Sequence, residues 1–509
     1  MININSDKDF FEKIDVTEEK TYPIFLTELK FEPFRHIPEL KINFKNPISI
    51  ISGTNRSGKS TILMALACSH YDFLKRNPKN GNLERHTWGA LMKTTSHDIQ
   101  NEDWTYFITY KTGKKIETKR GQRKKTTKKW NGIGKKESQF THRQVIFIDL
   151  DRIVPARFYS DKMYSLSKKA ITQAISSTKV SEIEKYMSFI LEEKFEIKKI
   201  AQHLDKETYE YNNLNHYSSY NAATGEEVLT RIIIDIVEAP KNALILIDEI
   251  EMGLHPKVQR RLIDVIRNIC TLENKQFIIT THSGTILDSV NDSSRIFIEK
   301  NPKGEYKAIQ NISVNASLSK MDSKSYPLID LYCEDSVAKK IIKEAIKAIE
   351  INKKINNFSE LINIIISGSA DKTYTYFTSH KETYGLKKIK SGYACILDGD
   401  MKNMKSNKGA LTYPPSENLH FLFSNECPEK FLTRAYLSEN PNVNIEYYLE
   451  NENPHYLFRV IIENSSLKDE NEVFEYCWKL VVESEKGSIY FETLQNFLIS
   501  MVRKYSPEL

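Results

Sequence analysis

Two groups of residues have the types and spacing to do chemistry on phosphates. The first opens with Gly53-Thr54-Asn55-Arg56-Ser57-Gly58-Lys59-Ser60. Its glycines let the backbone bend around a phosphate chain, its amides and the following helix start present positive charge, Lys59 reaches the β and γ phosphates, and the Ser60 hydroxyl can ligate Mg²⁺. Gly53, Asn55, Ser57, Gly58, Lys59, Ser60 and Thr61 are therefore assigned to binding ATP or GTP. Far downstream, the apolar run Ala243-Leu244-Ile245-Leu246-Ile247 delivers Asp248-Glu249, and Phe277-Ile278-Ile279-Thr280-Thr281 delivers His282. Asp248 would hold the Mg²⁺ shell, Glu249 would polarise the attacking water, and His282 would sense the γ-phosphate. An acidic pair or a lone histidine at a strand end is more often structural, so the reading rests on their order behind the phosphate loop. The second group is Glu334, Asp398 and Asp400, carboxylates at the ends of later strands. Gathered on one sheet edge they make an oxygen-rich cluster for Mg²⁺ or Mn²⁺, the kind of site that phosphodiester cleavage needs.

These residues need elements to position them. Pro47-Ile48-Ser49-Ile50-Ile51-Ser52 reads as a buried strand and Thr61 to Ala67 as a helix, which places the loop between strand and helix. Tyr22 to Lys45 alternates in strand fashion, residues 72–142 read as an insertion, Gln144 to Leu150 as a buried strand, and 160–200 as polar and helix-prone. No heptad pattern persists long enough for a coiled-coil arm. Ala223-Thr224-Gly225-Glu226-Glu227 opens another helix whose N-terminus can face an anion. Residues 301–325, rich in Asn, Ser and Lys, read as a connection. Strand 327–332, helix 336–349 and strands 362–366 and 393–397 then restart an α/β pattern with a parallel sheet, and residues from about 425 read as helical. The expected class is α/β: a phosphate-loop core over 1–300, a smaller α/β domain over 326–424, and a helical region over 425–509.

At 509 residues the chain can hold two or three cored domains. Its net charge of +6 is uneven, because Lys111 to Lys136 holds twelve Lys or Arg against Glu117 alone. That segment carries +11 and leaves about −5 for the rest. We read it as a long hairpin tip or partly disordered loop able to lie against a nucleic-acid backbone, DNA first, although a solvated loop without a partner has the same composition. The six cysteines show no CxxC spacing, so their pattern suggests neither a zinc site nor a disulfide framework. No apolar run approaches the roughly 20 residues that span a bilayer, and the start lacks a signal-like stretch, so a cytoplasmic protein without membrane contact is expected.

The ordered motifs resemble the ABC-type ATPases of DNA repair and chromosome maintenance over about residues 20–300. On that resemblance Gly53 to Ser60 is Walker A, Thr224-Gly225-Glu226 the signature, Leu244 to Glu249 Walker B, Gly253-Leu254-His255-Pro256 the D-loop and His282 the switch histidine. It implies a homodimer or larger even assembly, in which one copy's signature closes over ATP held by another. Gln144 is the candidate Q-loop residue by order, although it begins a strand. The later strands, with the turn Ser367-Gly368-Ser369 and Asp398-Gly399-Asp400, look like a Toprim domain. The combination resembles the OLD (overcoming lysogenisation defect) nucleases of anti-phage defence and implies ATP-linked DNA cleavage. Two positions depart from that pattern: Asp335 stands where Gly is usual, and Ala338 where a second acid is common. Asp335, Asp371, Glu417 and Glu426 are candidates to complete a second metal, with Lys402 or Lys405 as charge stabilisers. Two alternatives follow. One is a Septu-like or retron-associated ATPase that regulates a separate nuclease, or works with a reverse transcriptase and noncoding RNA; the other is a repair ATPase that does not cut.

Overall fold

A computed structural model describes residues 7, 9–10, 16, 21–95, 97–173, 179–301, 303–322, 327–353, 358–384, 391–406 and 409–505. The chain divides into two compact units, Met1–Met321 and Asp322–Leu509. Most of the N-terminal stretch before Thr21 lies outside the described residues.

In the first unit, strands that are apolar on both faces stack into a sheet covered on both sides. All six residues of Ile48–Gly53 are buried, as expected for a central parallel strand. The six-stranded order is Tyr306–Gln310, Arg295–Lys300, Ile48–Gly53, Gln276–Thr280, Leu244–Ile247, Val145–Ile148, with only the first of these antiparallel to its neighbour. Parallel pairing carries the carboxyl ends of five strands to one edge, so the phosphate loop, Asp248-Glu249 and His282 all emerge there. The helices Thr224–Glu238 and Pro256–Glu273 bury their apolar stripes in the same core. A second sheet, antiparallel, runs Leu40–Asn43, Ile24–Phe31, Trp104–Thr112, Lys115–Arg123, Trp130–Gly132. Gln276 joins the two sheets: its side chain accepts from Leu26 N (2.9 Å) and donates to Leu26 O (2.9 Å).

The basic segment, expected as a hairpin tip or loop, is instead mostly strand. Lys115–Arg123 pairs along its whole length with Trp104–Thr112. Packing fixes it there. Gly121 lies under Tyr106, where a Cβ would come within 2.2 Å of the ring, and the Arg123 guanidinium sits 5.1 Å from Trp104 and 6.0 Å from Trp130. Lys119 and Arg123 lie on the covered face, against Phe140 and the two tryptophans. Only Arg120 is charged among the outward residues Ile116, Thr118, Arg120 and Gln122, so a basic run hid an ordinary pleated strand. The reading of 160–200 as helical also needs correction: helices Asp161–Lys169 and Val180–Leu191 give way to Glu196–His203, which begins a three-stranded antiparallel sheet.

The stretch expected as a plain connection, 301–325, carries elements too. Tyr306–Gln310 adds an edge strand to Arg295–Lys300, and Val314–Asp322 is a helix. Residues 302 and 323–326 lie outside the described residues. In the second unit a four-stranded parallel sheet runs Ile362–Ile366, Ile329–Cys333, Gly392–Leu397, Leu419–Phe421. Helices make up most of the chain from Pro428 to Tyr505.

Candidate active sites

The phosphate loop is shaped by two glycines in conformations that an L side chain resists. Gly53 has φ 154° and a Cβ there would lie 2.6 Å from Ile298 O; Gly58, φ 94°, caps the helix Lys59–Cys68, and its Cβ would strike Ile37. Lys59 is buried and donates to Gly53 O (2.9 Å) and Thr54 O (3.2 Å). Burial lowers its pKa, against the opposing pull of Glu249, Asp248 and Glu251. Ser57 is buried with its Oγ unpartnered, Asn55 is exposed, and Thr61 Oγ1 accepts from Arg35 Nη1 (3.0 Å). Ser60 Oγ donates to Asp248 Oδ2 (2.8 Å), and Thr280 Oγ1 donates to Asp248 Oδ1 (2.6 Å). The structure thus brings Ser60 and Asp248 together across three strands. A hydroxyl beside a carboxylate, with a backbone cradle that a Cβ would fill, fits a magnesium nucleotide.

Glu249 follows in a left-handed conformation (φ 46°), with its N–H donating to Thr280 Oγ1 (2.8 Å). Such a φ is uncommon outside glycine and needs surrounding structure to hold it. His282 lies half-buried, its N–H donating to Glu251 Oε1 (2.6 Å), and its pKa is lowered by burial and then by Lys59. These residues share one edge and one electrostatic neighbourhood.

Thr224, Gly225 and Glu226 begin the helix Thr224–Glu238 as expected, behind Ala223, which offers no side-chain cap. Gly225 packs so tightly that a Cβ would lie 2.5 Å from Gly253 O, and Glu226 Oε1 accepts from Tyr217 OH (2.5 Å). Among the described residues, no hydrogen bond or ion pair joins Thr224–Glu226 to the same copy's phosphate loop. Gln144 is removed from the nucleotide edge. Its carbonyl accepts from Leu244 N at the amino end of the sheet, opposite the edge where Asp248 emerges.

In the second unit, Glu334 and Asp398 leave adjacent parallel strands, and Glu334 Oε1 accepts from Asp398 N (2.7 Å). The turn at Gly368 (φ 102°) closes on them, its N–H donating to Glu334 O (3.0 Å). Asp398 is buried with its Oδ1 unpartnered, whereas Asp400 is exposed on the short turn Gly399–Asn403. Burial raises the pKa of Glu334 and of Asp398, and neighbouring carboxylates raise both further; for Asp398 these are Glu334, Asp335, Glu429 and Asp400. Burial also raises Asp400. Of the other candidates, Asp371 accepts from Tyr413 OH (2.6 Å), Glu417 pairs with Lys504 (2.8 Å), Glu426 pairs with Arg434 (2.9 Å), and Lys402 and Lys405 are exposed. Asp335 alone among them enters the carboxylate cluster.

Residues 94–288 match the family described as "AAA domain, putative AbiEii toxin, Type IV TA system". The chain carries a P-loop ATPase core. The matched stretch contains Thr224–Glu226, Asp248-Glu249 and His282 and begins after the phosphate loop. A stretch of 144 residues is 30% identical to "Retron Vc95 probable ATPase" of Vibrio cholerae serotype O1 biovar El Tor, covering 26% of this chain and 25% of that protein. The match thus spans about a quarter of that curated relative. Among solved structures, the SMC head domain from Thermotoga maritima gives a TM-score of 0.34 at 12% identity, covering 56% of this chain and 98% of that one. The recombination mediator protein RecF gives 0.33 at 14%, covering 57% and 99%.

The residue of the ATPase core that motif reading missed is Arg152. Buried after the strand Val145–Ile148, it donates to Asp149 O (2.7 Å) and to Glu249 O (2.6 Å). Its signal lay in Asp149-Leu150-Asp151-Arg152, a charged run straight after an apolar strand. Arg152→Ala is expected to cost about 1.5–3 kcal/mol in urea unfolding, the range for hydrogen bonds from a charged donor, and to slow ATP hydrolysis by releasing the Glu249 turn. Unchanged unfolding and turnover would refute that role.

No helix among the described residues is long and apolar enough to cross a membrane.

Proposed function

We propose that this protein is an ATP-dependent switch of a defence system, in which two copies close around nucleotide and thereby control metal-dependent cleavage of DNA at Glu334, Asp398 and Asp400. The observation that carries the cleavage reading is the Glu334–Asp398 contact across adjacent parallel strands, with one Asp398 oxygen buried and unpartnered. Buried carboxylates without counter-charge are costly, and a cation relieves the cost. Glu334 and Asp398 would hold Mg²⁺ or Mn²⁺, the exposed Asp400 would have to close on the ion to join them, and the ion would stabilise charge on the scissile phosphate. In the ATPase core, Ser60 and Asp248 would hold Mg²⁺, Lys59 would hold the phosphates, Glu249 would polarise the attacking water and take its proton, and His282 would sense the γ-phosphate. Thr224-Gly225-Glu226 meets the nucleotide of the second copy.

Plasmid nicking with Mg²⁺ or Mn²⁺, with and without ATP, tests this. Wild type is expected to nick and Asp398→Ala to be inactive; wild type without product under every condition would sink the cleavage reading.

One observation favours a second reading. Ala338, where the Toprim resemblance expects another acid, is fully buried in the apolar face of the helix Ser336–Asn352. With the retron-type relative named as an ATPase, this suits a regulator of a separate nuclease or of a reverse transcriptase complex.

Nucleic-acid contact falls on the exposed Lys125, Lys128 and Lys129, which lie between the strands Lys115–Arg123 and Trp130–Gly132. Reversing all three to Glu is expected to weaken DNA binding and to reduce the magnitude of the log–log salt slope by about 0.9 for each phosphate that the protein no longer neutralises. An unchanged slope would move the interface elsewhere.

A further inference from the structure

We infer that Asp335, Glu429 and His455 form a binding site for a divalent transition-metal cation, Zn²⁺ or Mn²⁺, different in ligand chemistry from the all-carboxylate set of Glu334, Asp398 and Asp400. The three residues come from separate segments of the second unit. Asp335 follows the strand Ile329–Cys333, Glu429 lies in the first turn of the helix Pro428–Glu439, and His455 sits on the short turn Pro454–Tyr456. One ligand atom from each lies within 4.8 Å of the other two. Neither Asp398 nor Asp400 completes such a trio among the described residues.

Local structure does not account for the cluster. Asp335 Oδ1 caps the following helix, accepting from Val337 N (2.9 Å) and Ala338 N (2.8 Å), which leaves its second oxygen to the site. Glu429 Oε1 faces His455 Nδ1 at 2.9 Å, but Glu429 is only 3% exposed and its Oε2 is buried with no partner. A carboxylate oxygen left unpaired in the interior is costly. A His–Glu pair satisfies one of the two oxygens; a cation placed among Asp335, Glu429 and His455 satisfies the whole group. The His455 side chain is 65% exposed and gives an entry path.

The choice of cation follows from the ligands. Imidazole nitrogen suits zinc and its neighbours, carboxylate oxygen suits manganese, and Mg²⁺ is bound through oxygen and water. A nitrogen with two carboxylates therefore selects a borderline cation over Mg²⁺. The site stands whether or not the chain cuts DNA. Its bound ion would clip the helical segments at 428–439 and 454–456 to the end of a sheet strand.

Cobalt is the probe. The full chain, stripped of metal and free of nucleotide, is titrated with Co²⁺ and followed by visible absorption. Wild type is expected to give saturable d–d bands that Zn²⁺ removes and equimolar Mg²⁺ does not. His455→Ala, at an exposed position that folding tolerates, and Glu429→Gln are each expected to weaken Co²⁺ binding at least about tenfold, while Asp398→Asn keeps the bands. Absence of bands in wild type, equal affinity in His455→Ala, or displacement by equimolar Mg²⁺ would overturn the assignment. Failure of plasmid nicking alone leaves it intact, so the two proposals fail separately.

Discussion

Glu249→Gln is expected to bind ATP as wild type does and to hydrolyse it about 10²–10⁴-fold more slowly, the range ascribed to a positioned general base. The prediction rests on how the residue is held. Its N–H is fixed by Thr280 and its C=O by Arg152, so the left-handed turn is clamped at both ends, while no hydrogen bond among the described residues occupies its carboxylate. Glutamine matches the shape and cannot take a proton. Ser60, Asp248 and Lys59, which would carry binding, are untouched. Lys59→Ala is the contrast: it removes the buried ammonium at Gly53 and Thr54 and should abolish binding and turnover together. Equilibrium nucleotide binding, single-turnover hydrolysis and light scattering with ATP separate the cases, and the glutamine variant should accumulate as the ATP-bound dimer. Full turnover in that variant would remove Glu249 from the role of base.

The second large effect is a loss of stability in the second unit as pH rises when no divalent cation is supplied. Asp398 and Glu334 are buried beside each other and beside Asp335, Glu429 and Asp400, and their folded-state pKa values are raised. Below about pH 4, the ordinary carboxylate range, both folded and unfolded chains hold these protons and the shift has no effect. Above it the unfolded chain releases protons that the folded chain retains. Stability therefore falls with rising pH until the raised folded values are passed. Thermal unfolding in chelator should drop between pH 5 and pH 8, by about 2–4 °C for each kcal/mol lost in a unit of this size. Saturating Mn²⁺ should flatten the curve, and Asp398→Asn should flatten it without metal. A flat profile for wild type in chelator would contradict the buried-cluster account.

What could be read from the chain depended on whether a site is local. The phosphate loop, Asp248-Glu249 and His282 each sit at the end of an apolar run, so periodicity places them on strand ends and parallel pairing gathers them. The same logic found Glu334 and Asp398. Glu429 and His455 were invisible because nothing in their own segments marks them; one opens a helix after Cys427-Pro428, the other follows Asn453-Pro454, and only tertiary packing brings them to Asp335. The strand Lys115–Arg123 was missed for a different reason. Its run of basic residues masks the two-residue alternation, and the contacts that hold it, Tyr106 over Gly121 and Arg123 near Trp104 and Trp130, are cross-strand. Gln144 shows the reverse error, since motif order suggested it and strand direction excludes it.

The helix Thr224–Glu238 starts without a side-chain cap, and Gly225 is pressed against Gly253 O. An anion settling on those first amides would lengthen their protection against solvent exchange, and the close backbone contact would pass the change to the turn after Asp248-Glu249. Amide hydrogen exchange at residues 224–227 and 250–254 would then serve as a built-in gauge of anion binding at this helix end, readable without any label and before any product is formed.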